Sequence, residues 1–417
     1  MTSPERRPTS PERSVRLSAV IRAEIGSSPE RRITFARFMD LALNHPDLGY
    51  YRSTEDRPTR EGDFLTAPET HPIFGWTLAR RLEAAWTELD RPSPFALVEY
   101  GAGSGTLALT VLDGFRRHGR LDLLETVRYM PVESNANRLD DLAKRFETAG
   151  LARLLHLPNP DGTARGTASA GCVPVTGVLI ANEFLDALPV HRVVLRGGNL
   201  RELFVAQREA GAAGREARLA LVVGEPSTPE LAARLAEDAV SLAEGQAAEI
   251  CLALEPWLAD ASARLARGSV LVLDYGFEAA ELYGPRHLAG TLLGYRGHRV
   301  VEDPLLDPGT VDLTAHVDFT AVARLAERHR FQDLGSVAQS EFLLAAGLEA
   351  EWEAARTDPN LDVAGYAAAR SAVVRLLDPR HLGRFRVLTL GRSQPDDRAG
   401  SVTAPIGGRS AGPEDRG

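Results

Sequence analysis

The 417-residue chain has a single lysine, Lys144, among 48 basic residues, so its cations are almost all arginine. We read that skew as genomic composition. A nucleic-acid partner is not expected, because the formal net charge is −9 and such binders usually carry a basic domain. Long apolar runs are also missing. No stretch approaches the ~20 apolar residues that cross a bilayer. The first residues lack the apolar core of a secretory signal, and Glu5, Glu12 and several prolines interrupt the arginine-rich start. Cysteine is scarce, with only Cys172 and Cys251. Two thiols build neither a disulfide framework nor, alone, a zinc site, so the cytoplasm is the expected compartment and no metal is expected. Disorder throughout is excluded by 44% apolar and 25% charged residues, an ordinary globular balance.

What is present falls into blocks. Residues 1–14 carry the string TSPER twice and read as a disordered, proline-rich arm; residues 391–417, rich in Ser, Gly, Pro, Asp and Arg, read as a disordered tail. Residues 15–92 read as helical. Leu17, Val20, Ile21 and Ile25 share one helical face; Phe35, Phe38, Met39 and Ala42 share another, stopped by Pro46; a third helix covers about 74–89. From Phe95, strands alternate with helices: 95–100, 127–132, 151–157, 177–181 and 269–273. That alternation predicts an α/β fold, a Rossmann-like and mostly parallel sheet within residues 93–390. Residues 191–268 exceed one crossover and read as an insertion with strands near 193–195, 202–206 and 218–223, followed by two helices. Residues 276–318 lack clear periodicity and read as a lid or binding loop.

Chemistry concentrates where strands end. Glu99 precedes Gly101, Gly103 and Gly105 at a strand-to-helix turn. Glycines there let a ligand approach the backbone. The spacing is G-x-G-x-G, with Thr106 where a dinucleotide fingerprint has its third glycine. A carboxylate at Glu99 suits the ammonium of S-adenosylmethionine, and Glu133, at the tip of the second strand, suits ribose hydroxyls. A structural turn and a solvated strand end are the plainer alternatives. Asn182, Glu183 and Asp186 follow the fourth strand and face the reacting centre if ligands bind beyond the strand ends; helix capping by Asn182 is the plainer reading. Arg296, His298, Asp312, Thr314, His316 and Asp318 line a substrate channel, or hold the lid together.

Together these elements resemble the S-adenosylmethionine-dependent methyltransferases of the MidA type, a family that includes the mitochondrial complex I assembly factor that methylates an arginine. The resemblance runs from about Ile33 to Phe342. It rests on Gly62-Asp63-Phe64-Leu65-Thr66-Ala67-Pro68-Glu69 with Phe74-Gly75, on Ala181-Asn182-Glu183-Phe184 with Asp186, Pro189 and Val190, on Asp274-Tyr275-Gly276, and on the Arg296/His298 and 312–319 segments. Thr70-His71-Pro72 and Thr110 depart from the pattern, and the 158–174 linker is long. The resemblance implies a class I methyltransferase fold with S-adenosyl-L-methionine as cofactor and Asp63, Thr66 and Pro68 on the cofactor side. It implies an arginine of a protein partner as acceptor, dimethylated with the symmetric isomer one option, and a place in respiratory-complex assembly. Glu183 and Asp186 are then the catalytic carboxylates, with Asn182 positioning. Self-association stays open. A small-metabolite methyltransferase, a non-catalytic S-adenosylmethionine-binding assembly chaperone and a dehydrogenase are the competing readings.

Overall fold

The computed structural model describes residues 9–52, 67–157, 173–208, 218–297 and 299–393. The chain opens with α1 (Ser10–Ser27), β1 (Arg32–Thr34) and α2 (Phe35–Asn44). Helix α1 begins inside the segment expected to be a disordered arm. The Thr9 N–H donates to Glu12 Oε2 at 2.8 Å, and Arg13 and Ser14 are already buried. The second TSPER string is therefore a helix start with its acid three residues past the cap, a signal that low complexity hid.

Next come α3 (Ala67–Thr70), α4 (Ile73–Glu88), β2 (Phe95–Tyr100), α5 (Thr106–Arg117), α6 (Leu121–Thr126), β3 (Val127–Val132), α7 (Ala136–Thr148) and β4 (Val175–Asn182). Helices α4 and α5 cross closely where Gly75 lies against Thr110, so the small hydroxyl at that position serves packing. The expected strand at 151–157 is instead a 3-10 turn, Ala152–Leu154, with one parallel bridge from Leu155 to Tyr129. Leu151 and Leu154 bury at a spacing of three, which a turn satisfies and a strand does not.

The insertion contributes β5 (His191–Arg196), β6 (Asn199–Arg208), β7 (Arg218–Gly224), α8 (Glu230–Glu237) and β8 (Ala247–Ile250), and α9 (Leu254–Arg264) leads into β9 (Leu265–Asp274). The insertion strands form a second sheet, β1-β6-β5-β8 with β7 on β6. The N-terminal β1 joins it, and α1 and α2 pack Leu17, Ile21, Phe35 and Phe38 against Val205.

Residues 276–318 are more regular than expected. They hold β10 (Gly276–Phe277), α10 (Ala279–Leu282), β11 (Leu293–Arg296), β12 (Arg299–Val301), β13 (Asp312–Thr314) and β14 (Val317–Asp318). The order β12-β11-β13 makes a small antiparallel sheet, and β10 pairs with β14. The strands are so short that no period shows. Then follow α11 (Phe319–Arg328), β15 (Gln332–Ala338), α12 (Gln339–Ala345), α13 (Leu348–Arg356), α14 (Val363–Leu377) and β16 (Arg386–Arg392).

The main sheet has six strands in the order β15-β16-β9-β4-β2-β3. Strands β3, β2, β4 and β9 are parallel, and β16 runs antiparallel to both β9 and β15. Strand β2 is buried on both faces, as central parallel strands are. Phe95 and Leu97 point into one core with Phe115, Tyr129 and Phe146; Ala96 and Val98 point into the other with Leu258 and Val272. After β2 the chain adds β3 on one side, then returns to add β4 on the other. That switch point opens a crevice at the carboxyl ends of β2, β3 and β4. Among the described residues no helix is long and apolar enough to cross a membrane.

Candidate active site

The glycine loop leaves β2 at this crevice. Gly101, Gly103 and Gly105 all have left-handed backbone, with φ of +66°, +54° and +78°. A Cβ on Gly101 would meet Phe184 Cδ2 at 2.9 Å, and one on Gly105 would meet Leu142 Cγ at 3.0 Å. Among the described residues, a Cβ on Gly103 would meet nothing nearer than the Gly101 carbonyl at 3.9 Å. Gly103 thus presents a bare face among the described residues. Its N–H donates to Glu133 Oε2 at 3.0 Å, and Asn135 N–H donates to Glu133 Oε1 at 2.8 Å. Glu133 is therefore a buried loop partner, not a solvated strand end. A carboxylate held on the loop's own N–H would repel a pyrophosphate, which argues against dinucleotide binding. Arg145 Nη1 locks the loop by donating to the Ser104 carbonyl and hydroxyl, both at 2.8 Å, and to Thr106 Oγ1 at 3.0 Å. Glu99 is buried and accepts from Tyr129 Oη at 2.7 Å. Burial pushes its carboxyl up to about 8, the tyrosine bond opposes that, and Glu133 adds to it.

The second half of the site follows β4 and β9. Glu183 sits in left-handed backbone at φ +47°, a conformation that costs a non-glycine residue roughly 1–2 kcal/mol. Its N–H donates to the Leu273 carbonyl at 2.8 Å. Its Oε1 accepts from Ala67 N–H at 2.9 Å and from Asn182 Nδ2 at 3.4 Å. Burial pushes the Glu183 carboxyl up to about 8, and Asp186 adds to the shift. Asp186 Oδ2 accepts from Thr314 Oγ1 at 2.9 Å, and Tyr275, itself bonded to Thr314, also donates to it. Burial raises Asp186 as well. Asp274, fully buried, accepts the N–H groups of Phe184, Leu185 and Asp186 at 3.2, 2.9 and 3.3 Å and that of Tyr275 at 2.9 Å. Burial, then Asp186 and Glu183, raise it well above the usual carboxylate range. Among the described residues no cation pairs with any of these carboxylates, and Asp186 Oδ1 and Asn182 Oδ1 are buried without a partner. Strain at such a site points to function. Glu183→Gly should relieve both the backbone strain and the burial of a carboxyl group. We expect its Tm to match or exceed wild type while transfer is lost; a lower Tm in thermal unfolding would contradict the strain.

The lid residues separate. Thr314 reaches the acid cluster directly, and Asp312 Oδ1 accepts from Tyr51 Oη at 2.7 Å. His316 packs its ring 5.3 Å from those of both Tyr275 and Phe277. Its Nδ1 is buried without a partner among the described residues, and burial, helped by His287 and Arg384, pushes it down to about 4, so it is neutral. Two more of the expected substrate residues make contacts within the protein. Asp318 caps α11 by accepting from Ala321 N–H at 3.0 Å, and Arg296 pairs with Asp307 on the surface at 2.7 Å. Pro68 is buried in α3, where the adjacent Ala67 serves Glu183. Asp63, Thr66 and His298 lie outside the described residues. The sequence alone assigns no role to Asp274, Tyr275 or Tyr51. Asp274 could have been found, since it ends a strand at the same sheet edge; Tyr51 sits in a turn-rich stretch that carries no such signal.

A switch-point crevice with a left-handed glycine loop, a buried carboxylate held on that loop and an acid cluster at the neighbouring strand ends is the arrangement of an S-adenosylmethionine-dependent methyltransferase on a Rossmann-like class I sheet. The model of a family described as S-adenosyl-L-methionine-dependent methyltransferases matches residues 77–337, and the chain belongs to that family, in its MidA-type branch. The chain is 33% identical to the protein arginine methyltransferase NDUFAF7 homolog, mitochondrial, of Drosophila melanogaster, covering 90% of this chain and 84% of the relative. It is 28% identical to mitochondrial NDUFAF7 of Homo sapiens, covering 86% and 80%. A Burkholderia thailandensis protein solved with S-adenosyl-homocysteine bound superposes with a TM-score of 0.78 at 30% identity, covering 94% of this chain and 95% of that one. The chain is thus an enzyme whose cofactor is S-adenosyl-L-methionine.

Proposed function

We propose that the methyl acceptor is an arginine of a protein partner. The observation that supports this most is the acid cluster: Glu183 and Asp186 are enclosed, raised by burial and, among the described residues, without a cation. A carboxyl enclosed in this way ionises when an opposite charge pairs with it, and a guanidinium offers one in a planar fork that two carboxylate oxygens can engage at once. The names of the relatives, which are protein arginine methyltransferases, point the same way.

The residues present fit the cofactor. The bare face of Gly103, with Gly101, Gly105, Glu133 and Glu99 around it, would hold S-adenosylmethionine, which when bound supplies a methyl group already activated on sulfonium. Asp63, Thr66 and Pro68 stay proposed cofactor-side residues. What this chain must do is align the acceptor and take its proton. Deprotonating a guanidinium of pKa near 13.8 in advance would cost about 9 kcal/mol at pH 7. Glu183 and Asp186 instead localise the positive charge on one nitrogen and accept the proton as the new bond forms. Asn182 orients Glu183 through its amide. Asp274 carries no substrate; it ties the 184–186 backbone to the end of β9. The proposed compartment is the cytoplasm; the relatives above are named mitochondrial.

Transfer of label from S-adenosylmethionine into lysate of a strain lacking the gene, followed by hydrolysis of the labelled protein, tests the acceptor. Label in methylated arginine is expected; label confined to small molecules would overturn the reading. The pH profile is a second check. Glu183 must be ionised to grip a cation, and it is raised to about 8 in the empty site. Acceptor affinity should therefore climb as pH rises toward 8 and level off above it, with proton release on binding. Arginine does not titrate in that window, so a flat profile would contradict the role of Glu183.

A further inference from the structure

We infer that Tyr51 is a positioning residue for the transfer, holding the acceptor edge of the site against its cofactor edge. Its main chain and side chain grip opposite walls. The Tyr51 carbonyl accepts from Asn135 Nδ2 at 2.7 Å, and Asn135 donates its own N–H to Glu133 beside the glycine loop. Tyr51 Oη donates to Asp312 Oδ1 at 2.7 Å. Asp312 opens β13, and Thr314 at its other end donates to Asp186. One residue thus closes a path from Glu133 to Asp186, through its carbonyl on one side and its hydroxyl on the other, with β13 carrying the last stretch.

The phenol is pinned rather than adaptable. Its ring meets Tyr50 edge-on at 5.1 Å, and the Arg138 guanidinium lies 5.8 Å from its centroid while standing 4.0 Å from Glu133. Tyr50 is buried in the core that α1 and α2 make with the second sheet. Burial holds the hydroxyl in its protonated form, with Asp312 and Asp186 adding to the effect, so it remains a donor. A cofactor that engages Glu133 would therefore stiffen β13, and by reciprocity an acceptor at Asp186 would tighten the cofactor. The acceptor half of this statement rests on the reading of Asp186 above; the link from Glu133 to β13 does not.

The test uses the full chain and two readouts. In hydrogen exchange, S-adenosylhomocysteine should slow the amides of 312–314 in the wild type and in Asp312→Asn, which still offers an acceptor oxygen, but not in Tyr51→Phe or Asp312→Ala. In label transfer from saturating S-adenosylmethionine to total protein of a strain lacking the gene, Tyr51→Phe should lose at least about tenfold in rate, the scale of a hydrogen bond to a charged group. Combining it with Asp312→Ala should cost no more than either change alone. Calorimetric affinity for S-adenosylhomocysteine should stay at the wild-type value. Wild-type protection or rate in Tyr51→Phe would overturn the proposal, and so would lost cofactor affinity, which would make Tyr51 a cofactor residue. Label on a residue other than arginine would sink the acceptor reading and leave the Tyr51 comparison intact.

Discussion

Glu183→Gln should lower methyl transfer by about 10²–10⁴-fold, the range that a positioned general base contributes, while leaving affinity for S-adenosylhomocysteine nearly unchanged. Glutamine keeps the shape of the side chain and can still accept the Ala67 N–H and tolerate the bond from Glu183 N–H to Leu273. Two things disappear: the charge that a guanidinium would meet, and the group that takes its proton. Asp186 cannot replace both, because Thr314 and Tyr275 already hold its Oδ2 side. Calorimetry beside the transfer assay decides the matter. If cofactor affinity falls with the fold intact, Glu183 belongs to the cofactor pocket. If transfer survives, the carboxylate is a structural acceptor for α3, and the acceptor site must be sought elsewhere.

The same residue explains why the site was partly legible in sequence. An acid just past a buried strand in an α/β sheet lies at the carboxyl edge by topology alone, which brings Glu183 and Asp186 to the crevice with Gly103 and Glu133. Periodicity carried the parallel strands and the amphipathic helices. What it could not carry was pairing between distant short strands. β1 reaches β6 across some 170 residues, and the three-residue pieces β12 and β13 are too brief to show alternation. The same limit hid Tyr51. Its importance comes from Asn135 and Asp312, 84 and 261 residues away, and nothing local to the turn announces either. Polar residues in an irregular lid look alike in sequence, and only burial sorts Thr314 and the Nδ1 of His316, which are enclosed, from Arg296, which faces water.

Gly103→Val should reduce affinity for S-adenosylmethionine by on the order of 100-fold or more, with a modest loss of stability. The added side chain would enter the bare face beside the loop, where no atom of the described residues lies nearer than 3.9 Å to a Cβ. Valine at φ +54° is also strained, by roughly 1–2 kcal/mol. If the backbone turned to relieve that strain, it would break the N–H bond to Glu133, so either response damages the cofactor site. Gly101→Ala and Gly105→Ala make the contrast. Their new methyls would press on Phe184 and Leu142, within the protein itself, so their larger effect should be on Tm. Measuring cofactor affinity and Tm for all these variants separates a ligand-facing glycine from packing glycines. Wild-type affinity in Gly103→Val would remove the loop from the cofactor site, and with it the assignment of Glu133 to the ribose.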